Sequence, residues 1–172
     1  SAVLSNDEKQ KIVAFTKKKI NGKIPLVVGL GGNNTYDIVA QIKSTDFTGI
    51  DAILSVSPAY NKPSQEGIYQ HFKTISEACT TNIILYNVPG RTGSNMSTKT
   101  TLSLANDFDN IIAIKEASGD MQQIMEILRD KPDNFKVLSG DDALTLPMIF
   151  MGAEGVISVQ AMAQPREFSE MV

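Results

Sequence analysis

The sequence predicts an α/β protein of parallel βαβ units, a (β/α)8 barrel with about six of its eight strands in the chain. Three observations point there. Apolar runs of strand length recur at residues 25–30, 50–56, 82–86, 111–115, 136–139 and 155–159. Most are continuous rather than alternating, as suits parallel strands covered on both faces. Helical patterns separate them, and polar residues collect where the apolar runs end. An open doubly wound sheet shares the first two features. The third favours the barrel, whose chemistry sits at the C-terminal ends of several strands.

The elements follow in order. Ser5-Asn6-Asp7-Glu8 has the spacing of a capping box and precedes Ile12, Val13, Phe15 and Ile20, with Gly22 as the expected stop. Asn34 or Thr35 is placed to cap a helix carrying Ile38, Val39 and Ile42, which Gly49 follows. Residues 64–79 set Ile68, Phe72 and Ile75 on one stripe. Helices are expected over 97–105, 122–129 and 143–151, and a last one from Pro165. Gly29-Leu30-Gly31-Gly32-Asn33-Asn34 lacks the third glycine of a dinucleotide loop, because Asn34 stands in its place.

Composition excludes several classes. The 172 residues are 42% hydrophobic and 20% charged, ordinary for a globular protein, and residues 1–172 are expected to form one partial barrel domain. A net charge of −3 offers no basic surface for nucleic acid or acidic lipid. No apolar stretch approaches the ~20 residues of a membrane span, and no secretory signal pattern opens the chain. The single cysteine, Cys79, cannot pair internally and suits a reducing cytoplasm, with burial on a helix expected. His71, the one histidine, has no metal-ligand spacing around it, so no metal and no cofactor is expected.

Lys115 is the strongest candidate for chemistry. It finishes the apolar run Ile111-Ile112-Ala113-Ile114, where low dielectric favours a neutral amine. A neutral amine attacks a carbonyl to form a Schiff base. The bland alternative is a lysine leaving the core with its ammonium in water. Tyr86 ends the neighbouring run Ile83-Ile84-Leu85, and Arg91 follows across a Pro89-Gly90 turn. A phenol and a guanidinium are thus expected at the level of the amine.

These motifs resemble the dihydrodipicolinate synthase and N-acetylneuraminate lyase family of class I aldolases, which are (β/α)8 barrels forming a Schiff base between lysine and pyruvate. Tyr86-Asn87-Val88-Pro89-Gly90-Arg91-Thr92-Gly93 resembles the family's tyrosine motif, and Ile112-Ala113-Ile114-Lys115-Glu116-Ala117-Ser118-Gly119-Asp120 its Schiff-base strand. Ser139-Gly140-Asp141-Asp142, Gly155-Val156-Ile157-Ser158 and the stretch from Ser57 through Gly67 also match, so the resemblance runs from Ser1 to Val172. It implies Lys115 as the imine-forming nucleophile and Tyr86 as proton relay. It implies Tyr60 as a second relay tyrosine contributed to the adjacent subunit, and hence a homo-oligomer, dimer or tetramer. Gly140 and Ile157 would hold the bound pyruvate through their backbone. Arg91 resembles the synthase branch, which condenses pyruvate with aspartate semialdehyde toward diaminopimelate and lysine. A guanidinium suits that second substrate's carboxylate.

Alternatives remain open at this point. Tyr60 also suits a turn tyrosine covering a loop. The chain could be another pyruvate-dependent aldolase acting on a sugar acid, or a non-catalytic keto-acid-binding remnant. The family's Gly-Thr-Thr-Gly-Glu segment has no counterpart, nor do the first two strands and the C-terminal helical region, so a central portion of a family chain is expected. Lysine-inhibited members bind lysine near the positions of Ser1, Ala2, Asn33 and Asp37. With Ala59, Asp37, Asn6 and Lys9 replacing the bulkier or imidazole groups of sensitive members, weak or absent lysine inhibition is expected.

Overall fold

The computed structural model describes residues 3–172. Six parallel strands form one sheet in sequential order: β1 Val27–Gly29, β2 Ala52–Val56, β3 Asn82–Asn87, β4 Ile111–Glu116, β5 Lys136–Ser139 and β6 Gly155–Val156. Each pairs with the next. A doubly wound sheet reverses its strand order at a switch point, and this sheet does not. The architecture is six consecutive βα units of a (β/α)8 barrel.

The helices are α1 Asn6–Ile20, α2 Thr35–Ser44, α3 Gln65–Ala78, α4 Pro89–Thr92, α5 Thr98–Asp107, α6 Met121–Asp130, α7 Thr145–Phe150 and α8 Pro165–Met171. Five begin at side chains that take up otherwise unbonded amides: Ser5, Asn34, Ser64, Ser97 and Asp120. At Ser5 the capping box is complete, with the Ser5 amide donating to Glu8 Oε2 at 2.8 Å. Asn21 ends α1 in the left-handed conformation, one residue before the expected Gly22.

Strand alternation divides the side chains between two environments. Ile53, Ile83, Leu85, Ile114 and Val137 face the helices, where Ile38, Ile68, Phe72, Ile75, Leu104, Ile124 and Ile127 complete the main core. Ala52, Ile84 and Ala113 form a smaller cluster with Leu54 and Ile112, toward the barrel interior. Register slips between Ile83 and Ile84, which pair with Ile111 and Ala113. The extra residue, Ile112, sets Lys115 beside Tyr86 and Glu116 beside Asn87.

Four expectations need correction. The first strand is three residues rather than six: Pro25 has no amide to donate, and the Leu26 amide bonds the Asp51 side chain at 2.7 Å. The last strand stops at Val156, because Asp142 and Ser158 take the amides of Val159, Gln160 and Ala161 into a turn. The helix over 143–151 is a 3-10 turn, Asp142–Leu144, followed by α7. Cys79 is buried as expected, but it caps the end of α3 instead of lying within the helix. His71 packs edge-on against Phe72 and bonds Thr35 Oγ1 at 2.8 Å. Among the described residues no helix is long and apolar enough to cross a membrane.

Candidate active site

Lys115 and Tyr86 are register partners on the two longest strands. The Lys115 ammonium nitrogen lies 4.3 Å from the centroid of the Tyr86 ring. Lys115 is only 9% exposed, and burial is the main reason its pKa falls below the ordinary lysine value. Asp142 opposes that shift and Arg91 adds to it. Burial raises the Tyr86 pKa, which Arg91 partly offsets. The pair is thus biased toward an amine that gives up its proton and a phenol that keeps one. That combination fits attack on a carbonyl with a proton donor alongside.

Gly140 makes room for the lysine. A Cβ there would lie 2.8 Å from Ala117 Cβ, 2.9 Å from Lys115 Cε and 3.1 Å from Lys115 Cγ. The lysine stem can move, but the Ala117 methyl is fixed to backbone. The Gly140 amide donates to the Glu116 carbonyl at 2.8 Å, and the Ile157 amide donates to Ser139 O at 2.9 Å. The N–H groups of Gly140 and Ile157 are therefore already committed within the backbone, which leaves their carbonyls as the remaining main-chain groups. Ile157 follows β6, which pairs with β5 and not with the Lys115 strand.

Arg91 stands at the rim, on the single turn of α4. Its backbone amide bonds Val88 O at 2.9 Å. Among the described residues its guanidinium has neither an ion pair nor a hydrogen bond. The turn is instead held by Thr92, whose hydroxyl bonds Ser94 O at 2.8 Å.

Tyr60 is not brought into this group. Its side chain is 90% exposed, and its backbone sits at φ 73°, an uncommon value for a bulky residue. Its amide donates to Thr92 O at 3.1 Å, tying its loop to the end of the Arg91 turn. Of the expected lysine cleft, Asp37 is bonded by Asn34 at 2.9 Å, while Ser1 and Ala2 lie outside the described residues.

Sequence reasoning missed two groups. Asp142 is the carboxylate whose charge Lys115 feels, and its Oδ2 accepts the amides of Val159 and Gln160. The doubled aspartate after Gly140 was its only signal. Glu116, next to Lys115, is wholly buried on the opposite face of β4.

The model of the dihydrodipicolinate synthetase family matches residues 1–172. The chain belongs to that family. A 4-hydroxy-tetrahydrodipicolinate synthase of Flavobacterium psychrophilum is 56% identical over all 172 residues, and the chain spans 59% of that relative's length. The dihydrodipicolinate synthase structure from Aquifex aeolicus superposes with TM-score 0.93 at 43% identity, covering 98% of this chain and 58% of that one. A chloride-inhibited dihydrodipicolinate synthase from Acinetobacter baumannii complexed with pyruvate gives 0.93 at 40% identity, over 98% of this chain and 58% of that one. A variant described as the first monomeric dihydrodipicolinate synthase gives 0.95 at 40%, over 98% and 57%.

Proposed function

We propose that this chain carries the Schiff-base centre of a 4-hydroxy-tetrahydrodipicolinate synthase, a lyase condensing pyruvate with aspartate semialdehyde. The observation that carries the proposal is the buried Lys115 stacked on Tyr86, with Gly140 leaving the space its stem needs. The relatives' names, and the pyruvate complex of a similar structure, support the same reading.

In this reading neutral Lys115 adds through Nζ to the ketone carbon of pyruvate. Tyr86 supplies the proton that lets the carbinolamine oxygen leave as water, giving the imine. The Tyr86 phenolate left by that step takes a proton from the methyl group, which restores the phenol and yields an enamine, the carbon nucleophile toward the aldehyde. Arg91, free at the rim, takes the carboxylate of aspartate semialdehyde; a guanidinium binds a carboxylate bidentately. Gly140 and Ile157 line the pyruvate side with backbone carbonyls. A homo-oligomer belongs to the proposal: in it Tyr60, exposed on its own chain, completes a neighbour's relay. So does a cytoplasmic site, which the lone unpaired Cys79 supports.

Borohydride reduction in the presence of pyruvate is the test. The reduced adduct is expected on the peptide containing Lys115 and is expected to vanish in Lys115→Ala. An adduct that persists in that variant removes Lys115 as the nucleophile. If the adduct forms but aspartate semialdehyde is not consumed while a sugar-acid aldehyde is, the aldolase reading replaces the synthase.

A further inference from the structure

Glu116 has no exposed surface, and among the described residues no cation pairs with it. A buried carboxylate is costly unless hydrogen bonds replace its water. Here every neighbour that reaches it donates. Oε1 accepts from the Ser118 amide at 2.7 Å and from Asn87 Nδ2 at 3.2 Å. Oε2 accepts from Asn87 Nδ2 at 3.0 Å and from Gln123 Nε2 at 3.3 Å.

Those donors are themselves fixed. Asn87 follows Tyr86, and its carboxamide clasps Met96, accepting the Met96 amide at 3.0 Å and donating to Met96 O at 3.4 Å. Gln123, on α6, donates to Met96 O at 3.1 Å and accepts from Asn95 Nδ2 at 2.7 Å. The same Asn87 nitrogen bonds Asn95 Oδ1 at 2.7 Å. The segment bearing Arg91 is therefore a loop whose ends, Asn87 and Met96, are pinned together over the carboxylate.

We propose that Glu116 is a positioning residue: its carboxylate clasps the Arg91 loop shut against the strand ends that carry Tyr86 and Lys115. It does not touch substrate, because strand alternation puts it on the helix side of β4, opposite Lys115. It acts through Asn87 and Gln123. An amide cannot replace it, since four donor contacts converge there and an amide nitrogen must face one of them. Gln123 cannot turn to compensate without setting its own nitrogen against that of Asn95. Lys115 is held independently by the β3–β4–β5 ladder, so loosening the clasp moves Arg91 far more than the amine.

This inference rests on the proposed condensation, and the experiment separates the two. In the parent protein and in Glu116→Gln, the rate of pyruvate adduct formation at Lys115 and kcat/KM for aspartate semialdehyde are measured side by side. Misplacing a binding group by about 1 Å costs on the order of 10²-fold. Glu116→Gln is expected to lose roughly 10- to 100-fold in kcat/KM for the semialdehyde with adduct formation little changed. Hydrogen exchange is expected to rise at residues 88–97 and stay constant at 111–115. Asn95→Ala, at an exposed position, removes one strap without burying an unmet charge and is expected to shift the same two readouts less. It decides the matter if Glu116→Gln does not fold. Equal losses in both rates, or no loss, overturn the positioning role while leaving the condensation intact. A parent protein that forms no adduct overturns both.

Discussion

The centre and the flanks of this half-barrel are built differently. β3 and β4 run six residues each, pair along their length and bury Lys115 and Glu116 on opposite faces. β1 has three residues and β6 two, α1 buries no side chain, and Ile12 and Phe15 on it are more than half exposed. Tyr60, beyond β2, projects into solvent on left-handed backbone. The contrast separates two parts of the proposal. The proposed nucleophile, its phenol and the cleared space sit on the fully paired central strands, whereas Arg91 and Tyr60, proposed to bind and to relay, stand on exposed loop and turn backbone.

Breaking the centre should have the largest effect. Removing a general acid–base group costs ~10²–10⁴ in rate, so Tyr86→Phe is expected to lower kcat by that order with the thermal transition little moved. Tyr60→Phe should lower kcat too, but through the neighbouring subunit. Mixing it with Lys115→Ala chains should restore activity if hybrids form, and no recovery in demonstrated hybrids would confine the relay to one chain.

Arg91→Ala probes the rim. A charge-assisted hydrogen bond is worth about 1.5–3 kcal/mol, or roughly ten- to hundredfold in kcat/KM. The loss is expected when aspartate semialdehyde is varied, with the pyruvate adduct still forming. If adduct formation falls equally, the arginine is holding the turn rather than the substrate.

The smallest effect sharpens the comparison from outside the site. His71 is the sole histidine, and burial lowers its pKa to about 4. The unfolded chain titrates near ~6.5, so the native state refuses a proton that the unfolded state accepts. Stability from this group is complete above that pH and is lost as pH falls toward about 4. The full loss is on the order of 3 kcal/mol. Burial raises the Glu116 pKa, which gives the opposite slope, so the difference between wild type and His71→Gln isolates the histidine. Denaturant midpoints between pH 7 and 4 should converge for the two proteins as pH falls.

Most of the centre was legible because the local and tertiary signals agree. Continuous apolar runs ended in polar residues, and Ser5, Ser64 and Ser97 announced their helices. Legibility failed where a residue's role depends on distant partners. Glu116 beside Lys115 looks like an exposed charged pair until alternation sends it inward to Asn87 and Gln123. Ile112 reads as one more apolar residue, yet as a bulge it sets the register of Lys115 against Tyr86. The strand after Gly155 was overread because Asp142, far back in sequence, takes its amides. Tyr60's backbone left no trace in its side-chain chemistry.

The central claim is that the middle of the sheet activates Lys115 by burying it against Tyr86. The pH dependence of the rate of borohydride-trapped adduct formation with pyruvate measures this directly. The account predicts a midpoint below the ordinary lysine value, displaced upward when Gly140→Ala pushes the stem out of its place. A midpoint at the value of a solvent-exposed lysine, unmoved by that substitution, would contradict it.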